Sequence, residues 1–516
     1  MSYLTIPISE TTEEKFIASI KKAAEKKPDI IELRTDCLHN LNYDTLETLI
    51  KTSKALSVPV IVTCRDPKEG GMHDHSQLVR LEILCEAIRL GADYIDCEYL
   101  NYQNMKIQEL IGKAMDQNPA CRLILSTHNF DEPFYDIEAL YQNMHDLNRS
   151  AIIKMAYKVN HISDCIAAFN LLRHRKGDLI IACMGNGGEI SRILASKTHN
   201  FITFAALDKE SGSAPGQLTV DQMRDMYRFD AISSNTELYG IIANPVGHSA
   251  SPAIYNGSFT HADIDALYLP LLVEGDKEGF DKFLNAVGAN PWLKFRGFSV
   301  TIPHKNSAFD YVKKYGTIDE KALPIGAINT ISISETGQVT GYNTDYAGAM
   351  NPLKRSVGNI SGKKAAVIGA GGVSKAIVAG LVDNQADVTI FNRTVEKAKV
   401  LADIFDCSYD SIDNINRLSE ESFEIVINCT SIGMSPNIDS SPVEEEHLNE
   451  NMTVFDTVYN PLETKLLKYA KSAGANTING LEMFIEQAIE QYKLLTGEDA
   501  QKQVIEQVLR EKLQAK

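Results

Sequence analysis

The sequence KKAAVIGAGGVSKAIVAGLV, residues 363–382, combines an apolar strand, a glycine-rich turn and a helix. Such a turn lets the backbone approach a pyrophosphate closely, and the helix that follows directs its N-terminus at the phosphates. A second apolar strand, DVTIFNRT, comes at residues 387–394, which is the interval expected of a dinucleotide-binding unit. The pattern predicts a Rossmann lobe. The turn residues expected to contact the dinucleotide are Gly369, Ala370, Gly371, Gly372 and Val373.

The end of the second strand predicts which dinucleotide binds. An enzyme that uses NAD usually carries an acidic residue there, which binds the ribose hydroxyls. Here the chain has Asn392, Arg393 and Thr394, with Lys397 one helical turn further on. Basic residues without an acid favour a 2′-phosphate, and therefore NADP(H) as the cofactor. An ordinary exposed arginine is the alternative interpretation of Arg393.

The first half of the chain alternates short β-rich runs with stretches of helical periodicity. Continuous apolar runs are typical of buried parallel strands, and their alternation with helices implies a parallel sheet. Eight such units in this length predict a (β/α)8 TIM barrel. The eight runs are Leu4–Ile8, Ile30–Arg34, Pro59–Arg65, Tyr94–Glu98, Arg122–His128, Ala151–Ala156, Leu179–Met184 and Phe201–Leu207.

Catalytic groups on a TIM barrel lie at the C-terminal ends of the strands, and polar side chains stand at several of these ends. Lys154 differs from the others because apolar residues flank it on both sides. An apolar setting disfavours the charged ammonium, which is how a Schiff-base lysine is made. His128 can move a proton, and arginines can bind a carboxylate. The set predicts imine-assisted elimination or aldol-type cleavage on a keto acid.

Five motifs in barrel order, IIELRTD, VTCRDPKEGG, LSTHNF, IIKMA and SAPGQ, resemble type I 3-dehydroquinate dehydratase across its whole length. The resemblance implies that Lys154 forms the Schiff base, that His128 is the general acid and base, and that Glu69 is its partner. It also implies substrate contacts for Glu32, Arg34, Arg65, Arg192, Ser213 and Gln217. The HDH motif at His73 to His75 has no third ligand beside it, so we expect a solvated loop and no metal.

Four motifs precede the nucleotide unit: NPVGHSASP, GFSVTIPHK, GAINT and GYNTD. Their hydroxyls and amide can hold a polyol ring. Lys305 can stabilise and protonate a developing alkoxide, and Asp345 can orient that lysine. Together these groups supply what the reduction of a ketone needs.

This set resembles shikimate dehydrogenase from about Leu238 to the C-terminus, and INCTSIGM, VYNPLETKLL and NGLEMFIEQA continue the match. The resemblance implies that Lys305 and Asp345 form the catalytic pair and that Gly480 lies beside the nicotinamide. Ser299 stands where many members of the family carry asparagine. The implied substrate contacts are Ser249, Ser251, Thr301, Asn329, Tyr459 and Gln487.

The two motif sets predict an α/β chain in four segments: a barrel (1–230), a substrate-binding lobe (238–344), an NADP-binding Rossmann lobe (345–481) and C-terminal helices that return to the substrate lobe (482–516). The whole resembles the bifunctional dehydroquinate dehydratase–shikimate dehydrogenase family. Two alternatives remain: a regulatory sensor of quinate-like ligands and an NAD-dependent quinate oxidase. The intact catalytic residues argue against the sensor, and Asn392–Arg393 argues against the oxidase.

Composition limits the partners. The 516 residues include 51 basic and 68 acidic side chains, a net charge of −17 that disfavours nucleic acids and anionic membranes. No segment approaches the ~18 apolar residues of a spanning helix. Nine cysteines without a CxxC pair indicate a reducing compartment, and no signal or transit segment is recognisable. We expect a cytoplasmic enzyme with small-molecule partners, whose oligomeric state the sequence does not predict.

Overall fold

The computed structural model describes residues 2–210, 217–247 and 249–514. The chain divides into two compact units, and each is described by itself. The first contains Met1–Glu237, Asp265–Gly275 and Lys282–Lys294, and the second contains Leu238–Ile264, Asp276–Asp281 and Phe295–Lys516.

The first unit contains a nearly closed barrel of eight parallel strands, which confirms the predicted TIM barrel. The strands are β1 (Tyr3–Ile8), β2 (Ile30–Arg34), β3 (Val60–Thr63), β4 (Tyr94–Glu98), β5 (Arg122–Asn129), β6 (Ile152–Lys158), β7 (Leu179–Met184) and β8 (Ile202–Phe204). Their order in the sheet is β7-β6-β5-β4-β3-β2-β1-β8. Between the edge strands, the Phe201 N–H donates to the Leu179 carbonyl at 2.9 Å.

Buried isoleucines fill one level of the barrel, one from each of six strands, and they support the site above. They are Ile30, Ile61, Ile124, Ile152, Ile180 and Ile202. The helices of this unit are α1 (Glu13–Glu25), α2 (Tyr43–Ala55), α3 (Gln77–Arg89), α4 (Tyr99–Tyr102), α5 (Met105–Met115), α6 (Ile137–Leu147), α7 (Ser163–His174), α8 (Glu189–Ile193) and α9 (Ala195–Thr198). Polar N-caps start several of them, as where Asn42 accepts from the Thr45 N–H at 2.9 Å.

The segment between the two motif sets contains buried apolar side chains, although its composition is mostly polar. Residues 222–226 form a π-helical turn, and Met223, Tyr227 and Phe229 are buried. Met223 and Tyr227 are four residues apart, so one helical face carries both apolar side chains while charged neighbours point elsewhere. Because most of the residues around them are polar, the average polarity of the segment does not reveal the four-residue spacing of these two apolar side chains.

The substrate-binding part of the second half is built on a mixed six-stranded sheet in the order β10-β9-β11-β13-β14-β12. Its strands are β9 (Glu237–Ala243), β10 (Ala266–Leu272), β11 (Phe295–Val300), β12 (Thr317–Ile318), β13 (Thr330–Ile333) and β14 (Val339–Tyr342). β9 and β11 are parallel, so the motifs that follow them emerge at one edge of the sheet. The helices here are α10 (Ser251–His261), α11 (Lys277–Gly288), α12 (Lys305–Tyr315), α13 (Ala322–Ile325) and α14 (Asp345–Val357).

The nucleotide lobe is a parallel sheet in the order β17-β16-β15-β18-β19-β20, the doubly wound arrangement predicted from residues 363–394. Its strands are β15 (Lys364–Ile368), β16 (Asp387–Asn392), β17 (Ser408–Ser411), β18 (Ile425–Asn428), β19 (Thr453–Asp456) and β20 (Asn476–Ile478). The strand order reverses between β15 and β18, and ligands of such sheets bind in the crevice at that point. The turn after β15 begins with Gly369 at φ +108°.

Six helices complete the second half: α15 (Gly372–Asp383), α16 (Val395–Phe405), α17 (Arg417–Glu420), α18 (Lys465–Ser472), α19 (Gly480–Thr496) and α20 (Lys502–Gln514). α19 packs against α14 and against the substrate-lobe strands β11 and β13, while α20 packs against α10. The chain therefore leaves the nucleotide sheet after β20 and returns to the substrate-binding sheet.

Candidate active sites

Lys154 lies in β6, and its side chain is buried as predicted. Its Nζ donates to Asp96 Oδ2 at 2.8 Å and lies 3.6 Å from Glu32 Oε1. The ammonium also stands 4.8 Å from the centroid of the Phe204 ring. The flanking residues predict an apolar environment for the amine, but the environment is partly charged. Two carboxylates, one from β4 and one from β2, face the amine inside the barrel.

A buried arginine holds the carboxylate beneath Lys154. Arg65 donates to the two oxygens of Asp96 at 3.0 and 2.9 Å, to Glu98 at 3.0 Å and to Ser126 at 2.7 Å. Burial alone would raise the pKa of Asp96, but Arg65 and Lys154 outweigh it and hold that pKa below its ordinary value. Arg65 is predicted to contact the substrate, but in the structure its guanidinium binds two protein carboxylates.

His128, near the end of β5, and Glu69, in the turn after β3, form a second pair. Glu69 Oε2 accepts from the His128 backbone N–H at 3.0 Å and lies 2.9 Å from the ring Nδ1. Burial raises the pKa of Glu69 to about 7, and burial together with the charges of Arg65 and Lys154 lowers that of His128. An Nδ1–H that donates to Glu69 leaves Nε2 as the basic nitrogen.

The other predicted arginines differ in their partners. Arg34 makes a two-bond ion pair with Asp36, both bonds at 2.9 Å. Arg192 is buried and donates to the Cys183 carbonyl at 3.1 Å, and it has no carboxylate within 4 Å in the part of the chain described. Arg192 is therefore the guanidinium left open to an anionic ligand.

Three predicted barrel residues remain: Glu32, Ser213 and Gln217. Glu32, in β2, accepts from Thr63 Oγ1 at 2.7 Å. Gln217 is the first described residue after residue 216, and Ser213 lies outside the described residues.

The second site is one cavity of about 470 Å³ in the second half of the chain. Every substrate contact implied by the sequence resemblance lines it, together with the catalytic pair and Gly480. These residues are Ser249, Ser251, Thr301, Lys305, Asn329, Asp345, Tyr459, Gly480 and Gln487. The ends of β9 and β11, the first turn of α14 and one face of α19 bring them together from distant parts of the sequence.

Lys305 and Asp345 are in contact inside this cavity. Lys305 Nζ lies 2.6 Å from Asp345 Oδ2, and Asn329 Nδ2 donates to the other carboxylate oxygen at 3.1 Å. Asp345 is the first residue of α14, and its own N–H donates to Asn343 Oδ1 at 3.1 Å. Both carboxylate oxygens are thus held, which orients the lysine toward the cavity.

Gln491 is a cavity residue that the sequence analysis missed. Its Oε1 accepts from Tyr255 at 2.7 Å and from Ser299 at 2.6 Å, while its Nε2 donates to Thr330 Oγ1 at 2.6 Å. Gln491 lies four residues after Gln487, so the two side chains share one face of α19. The four-residue spacing from Gln487 was the feature of the sequence that could have identified Gln491 as a site residue. Ser299, the departure from asparagine, belongs to this buried network.

The nucleotide turn has the geometry that a dinucleotide needs. A Cβ built on Gly371 or Gly372 would meet nothing within 4 Å, so the turn is open on its outer side, and α15 begins there. A Cβ on Gly369 would lie 2.9 Å from Thr430 Cγ2. Ser374, in the first turn of α15, accepts from the Gly371 N–H at 3.0 Å and so closes the turn itself.

The predicted 2′-phosphate residues lie at the end of β16 and at the start of α16. Asn392 Nδ2 donates to the Thr394 carbonyl at 2.8 Å, which shapes the turn. Arg393 and Lys397 are exposed, and neither has a carboxylate within 4 Å among the described residues. In the same described ranges, no three His, Cys, Asp or Glu side chains converge as metal ligands do, and no helix is long and apolar enough to cross a membrane.

Protein-family models match the chain in the order of its motifs. Residues 4–234 match "Type I 3-dehydroquinase", and residues 241–331 match "Shikimate dehydrogenase substrate binding domain". Residues 352–463 match "Shikimate / quinate 5-dehydrogenase", and residues 480–510 match "Shikimate 5'-dehydrogenase C-terminal domain". The first model covers the barrel, and the other three cover the second half.

Similar proteins include single-function and double-function enzymes. The NADP(+) shikimate dehydrogenase of Caldanaerobacter subterraneus is 39% identical over 54% of this chain and 98% of its own. A crystal structure of shikimate dehydrogenase in complex with NADP⁺ matches 55% of this chain and 97% of its own, with 36% identity and a TM-score of 0.50. The chloroplastic bifunctional 3-dehydroquinate dehydratase/shikimate dehydrogenase of Arabidopsis thaliana is 34% identical over 98% of this chain and 84% of its own. This chain therefore belongs to the bifunctional 3-dehydroquinate dehydratase/shikimate dehydrogenase family.

Proposed function

We propose residue roles for the two activities of this bifunctional shikimate-pathway enzyme. The barrel half dehydrates 3-dehydroquinate to 3-dehydroshikimate, and the second half reduces that ketone to shikimate with NADPH. The observation that carries the assignment of roles is the buried Lys154–Asp96 contact, which shares a barrel end with the His128–Glu69 pair.

In the barrel, Lys154 is the nucleophile. Its amine, once neutral, adds to the ketone carbon, and loss of water gives an iminium ion that acidifies the adjacent C–H. His128 Nε2 removes that proton, and the protonated ring then returns it to the departing hydroxyl, which leaves as water. Hydrolysis of the conjugated imine releases 3-dehydroshikimate and regenerates the lysine.

Three groups prepare these steps. Asp96, itself held by Arg65, positions the Lys154 ammonium before reaction. Glu69 fixes the tautomer and orientation of His128. Arg192 binds the substrate carboxylate, a role supported by its burial and by the absence of a protein carboxylate within 4 Å in the described residues.

In the second half, bound NADPH would supply the hydride that reduces the carbonyl carbon of 3-dehydroshikimate. Lys305 stabilises the developing alkoxide and donates a proton to it, while Asp345 keeps the ammonium aimed at that oxygen. Ser249, Ser251 and Thr301 present hydroxyls to the hydroxyls of the ring. The open turn at Gly371 and Gly372 receives the pyrophosphate, and Arg393 with Lys397 receives the 2′-phosphate.

Covalent trapping tests the lysine role. Borohydride added with 3-dehydroquinate should inactivate the dehydratase and leave a reduced adduct on Lys154, detected by peptide mass spectrometry. Lys154→Met should form no adduct, whereas Lys158→Met, which changes the exposed lysine at the end of the same strand, should be trapped like the unmodified protein. An adduct on another residue, or none, would contradict the assignment.

A cytoplasmic location and small-molecule partners complete the proposal. The nine cysteines are all unpaired thiols, which supports a reducing compartment. The sites described here recognise small anions and a nucleotide, and we assign no nucleic acid or membrane partner. Cell fractionation followed by both enzyme assays tests the location.

A further inference from the structure

A second groove lies in the nucleotide lobe, apart from the substrate cavity. It has a volume of about 300 Å³ and is lined by α15 and α16. Its lining includes both Ala370, in the glycine-rich turn, and Lys397, in the first turn of α16. The groove therefore connects the place where a pyrophosphate binds with the place where a ribose 2′-phosphate is expected.

Lys375 and Glu396 also line this groove. Lys375 is the fourth residue of α15, so it is absent from the strand-end motif by which NADP-binding residues are usually identified. Lys397 and Lys375 approach the groove from different helices, and Glu396 is the acidic residue beside them. Val400 and Ile404 form its apolar side.

The charges around this groove are unpaired. The chain has a net charge of −17, and several exposed lysines of the lobe have carboxylate partners, as in Lys399–Asp403 and Lys471–Glu463, both at 2.6 Å. Lys375 and Lys397, by contrast, have no carboxylate within 4 Å in the ranges that the structure describes. Cations left without partners beside a groove are typical of an anion-binding site.

We propose that Lys375 is a further cation of the 2′-phosphate site and that Glu396 opposes it, so that the two residues set the preference for NADPH over NADH. The inference rests on the proposed use of Arg393 and Lys397 for the same phosphate. A flexible lysine from α15 contributes a point charge to the phosphate, while the carboxylate of Glu396 lowers the attraction.

Nucleotide fragments test this without turnover. We compare 2′,5′-ADP with 5′-AMP by titration calorimetry on the full-length protein, because the two differ by the 2′-phosphate alone. Lys375→Ala should weaken 2′,5′-ADP by about 3- to 10-fold, the scale of a partly solvated charge-assisted contact, and leave 5′-AMP unchanged. Glu396→Gln should tighten 2′,5′-ADP. Lys399→Ala, which removes a paired lysine of the same helix, should change neither.

The outcomes separate this inference from the proposed cofactor site. If Arg393→Ala weakens 2′,5′-ADP and Lys375→Ala does not, the role of Lys375 is wrong and the phosphate site of Arg393 stands. If Lys375→Ala weakens both nucleotides equally, the lysine does not read the 2′-phosphate, and the inference is also wrong. If the unmodified protein binds both fragments equally, the 2′-phosphate site itself is refuted.

Discussion

Glu69 is the side chain whose protonation should control dehydration. It accepts two hydrogen bonds from His128. Burial raises its pKa to about 7, whereas a glutamate with an ordinary pKa is almost fully ionised at that pH. Above that pH the carboxylate holds the Nδ1–H and leaves Nε2 free. Below it, protonated Glu69 donates to Nδ1 instead, and the proton then sits on Nε2, which can no longer act as a base.

We therefore expect kcat/KM for dehydration to fall as the pH drops through about 7, approaching tenfold per pH unit. Glu69→Gln should lower the rate and remove this limb, because an amide does not titrate there. Reduction of 3-dehydroshikimate by the same protein serves as the control, since Lys305 and Asp345 do not involve Glu69. A dehydration rate that is flat from pH 5 to 8 would show that the pair does not set the active form.

Asp96, which the sequence analysis missed, shares one property with Lys154, which it found. Lys154 was identified because a charge inside an apolar strand is unusual, and Asp96, between Ile95 and Cys97 in β4, satisfies the same criterion. What no linear pattern shows is the pairing: Asp96 meets Arg65 and Lys154 only because the closed sheet turns three strands toward one axis. Site membership was largely predictable from sequence, whereas the partner of each charge required the fold.

Among the elements, strands were predicted better than the turns that carry the chemistry. The apolar runs predict β2, β4 and β7 with their observed bounds. A parallel strand is buried on both faces, so its sequence is apolar along nearly its whole length. β8 is shorter than predicted, Ile202–Phe204 in place of Phe201–Leu207, since an apolar run does not show where backbone pairing stops. The turn after β3 is positioned by contacts distant in sequence, which no local pattern reports.

That turn supplies the next prediction. Gly70 follows Glu69 at φ +89°, and a Cβ there would lie 2.7 Å from Cζ of Phe130, whose ring stacks on His128. Gly70→Ala should strain the turn, shift Glu69 from His128 and lower kcat for dehydration by about 10- to 100-fold, the usual cost of displacing a catalytic group. The rate is measured from the absorbance of the conjugated product.

Gly112→Ala is the matched control for this change. Gly112 lies in the interior of α5, and a Cβ there would meet nothing within 4 Å. Alanine should favour the helix by about 0.5–1 kcal/mol and leave dehydration unchanged. Equal activity of the Gly70 and Gly112 variants would mean that the turn accepts the added Cβ without moving Glu69 from His128.

For the whole chain, the two reactions use separate sets of residues joined only by the product of the first, which is the substrate of the second. Lesions in the two sets should therefore complement one another between molecules. Lys154→Met alone should give no product from 3-dehydroquinate, and Lys305→Met alone should stop at 3-dehydroshikimate.

An equimolar mixture of these two variants with NADPH should form shikimate after a lag, because free 3-dehydroshikimate must first accumulate to the level that the second site requires. The double variant, carrying both lesions in one chain, should form none under the same conditions. If the Lys305→Met protein keeps its 3-dehydroshikimate bound, so that the mixture makes no shikimate, the ketone does not pass through solution, and the independence of the two sites inferred from their separate residues is wrong.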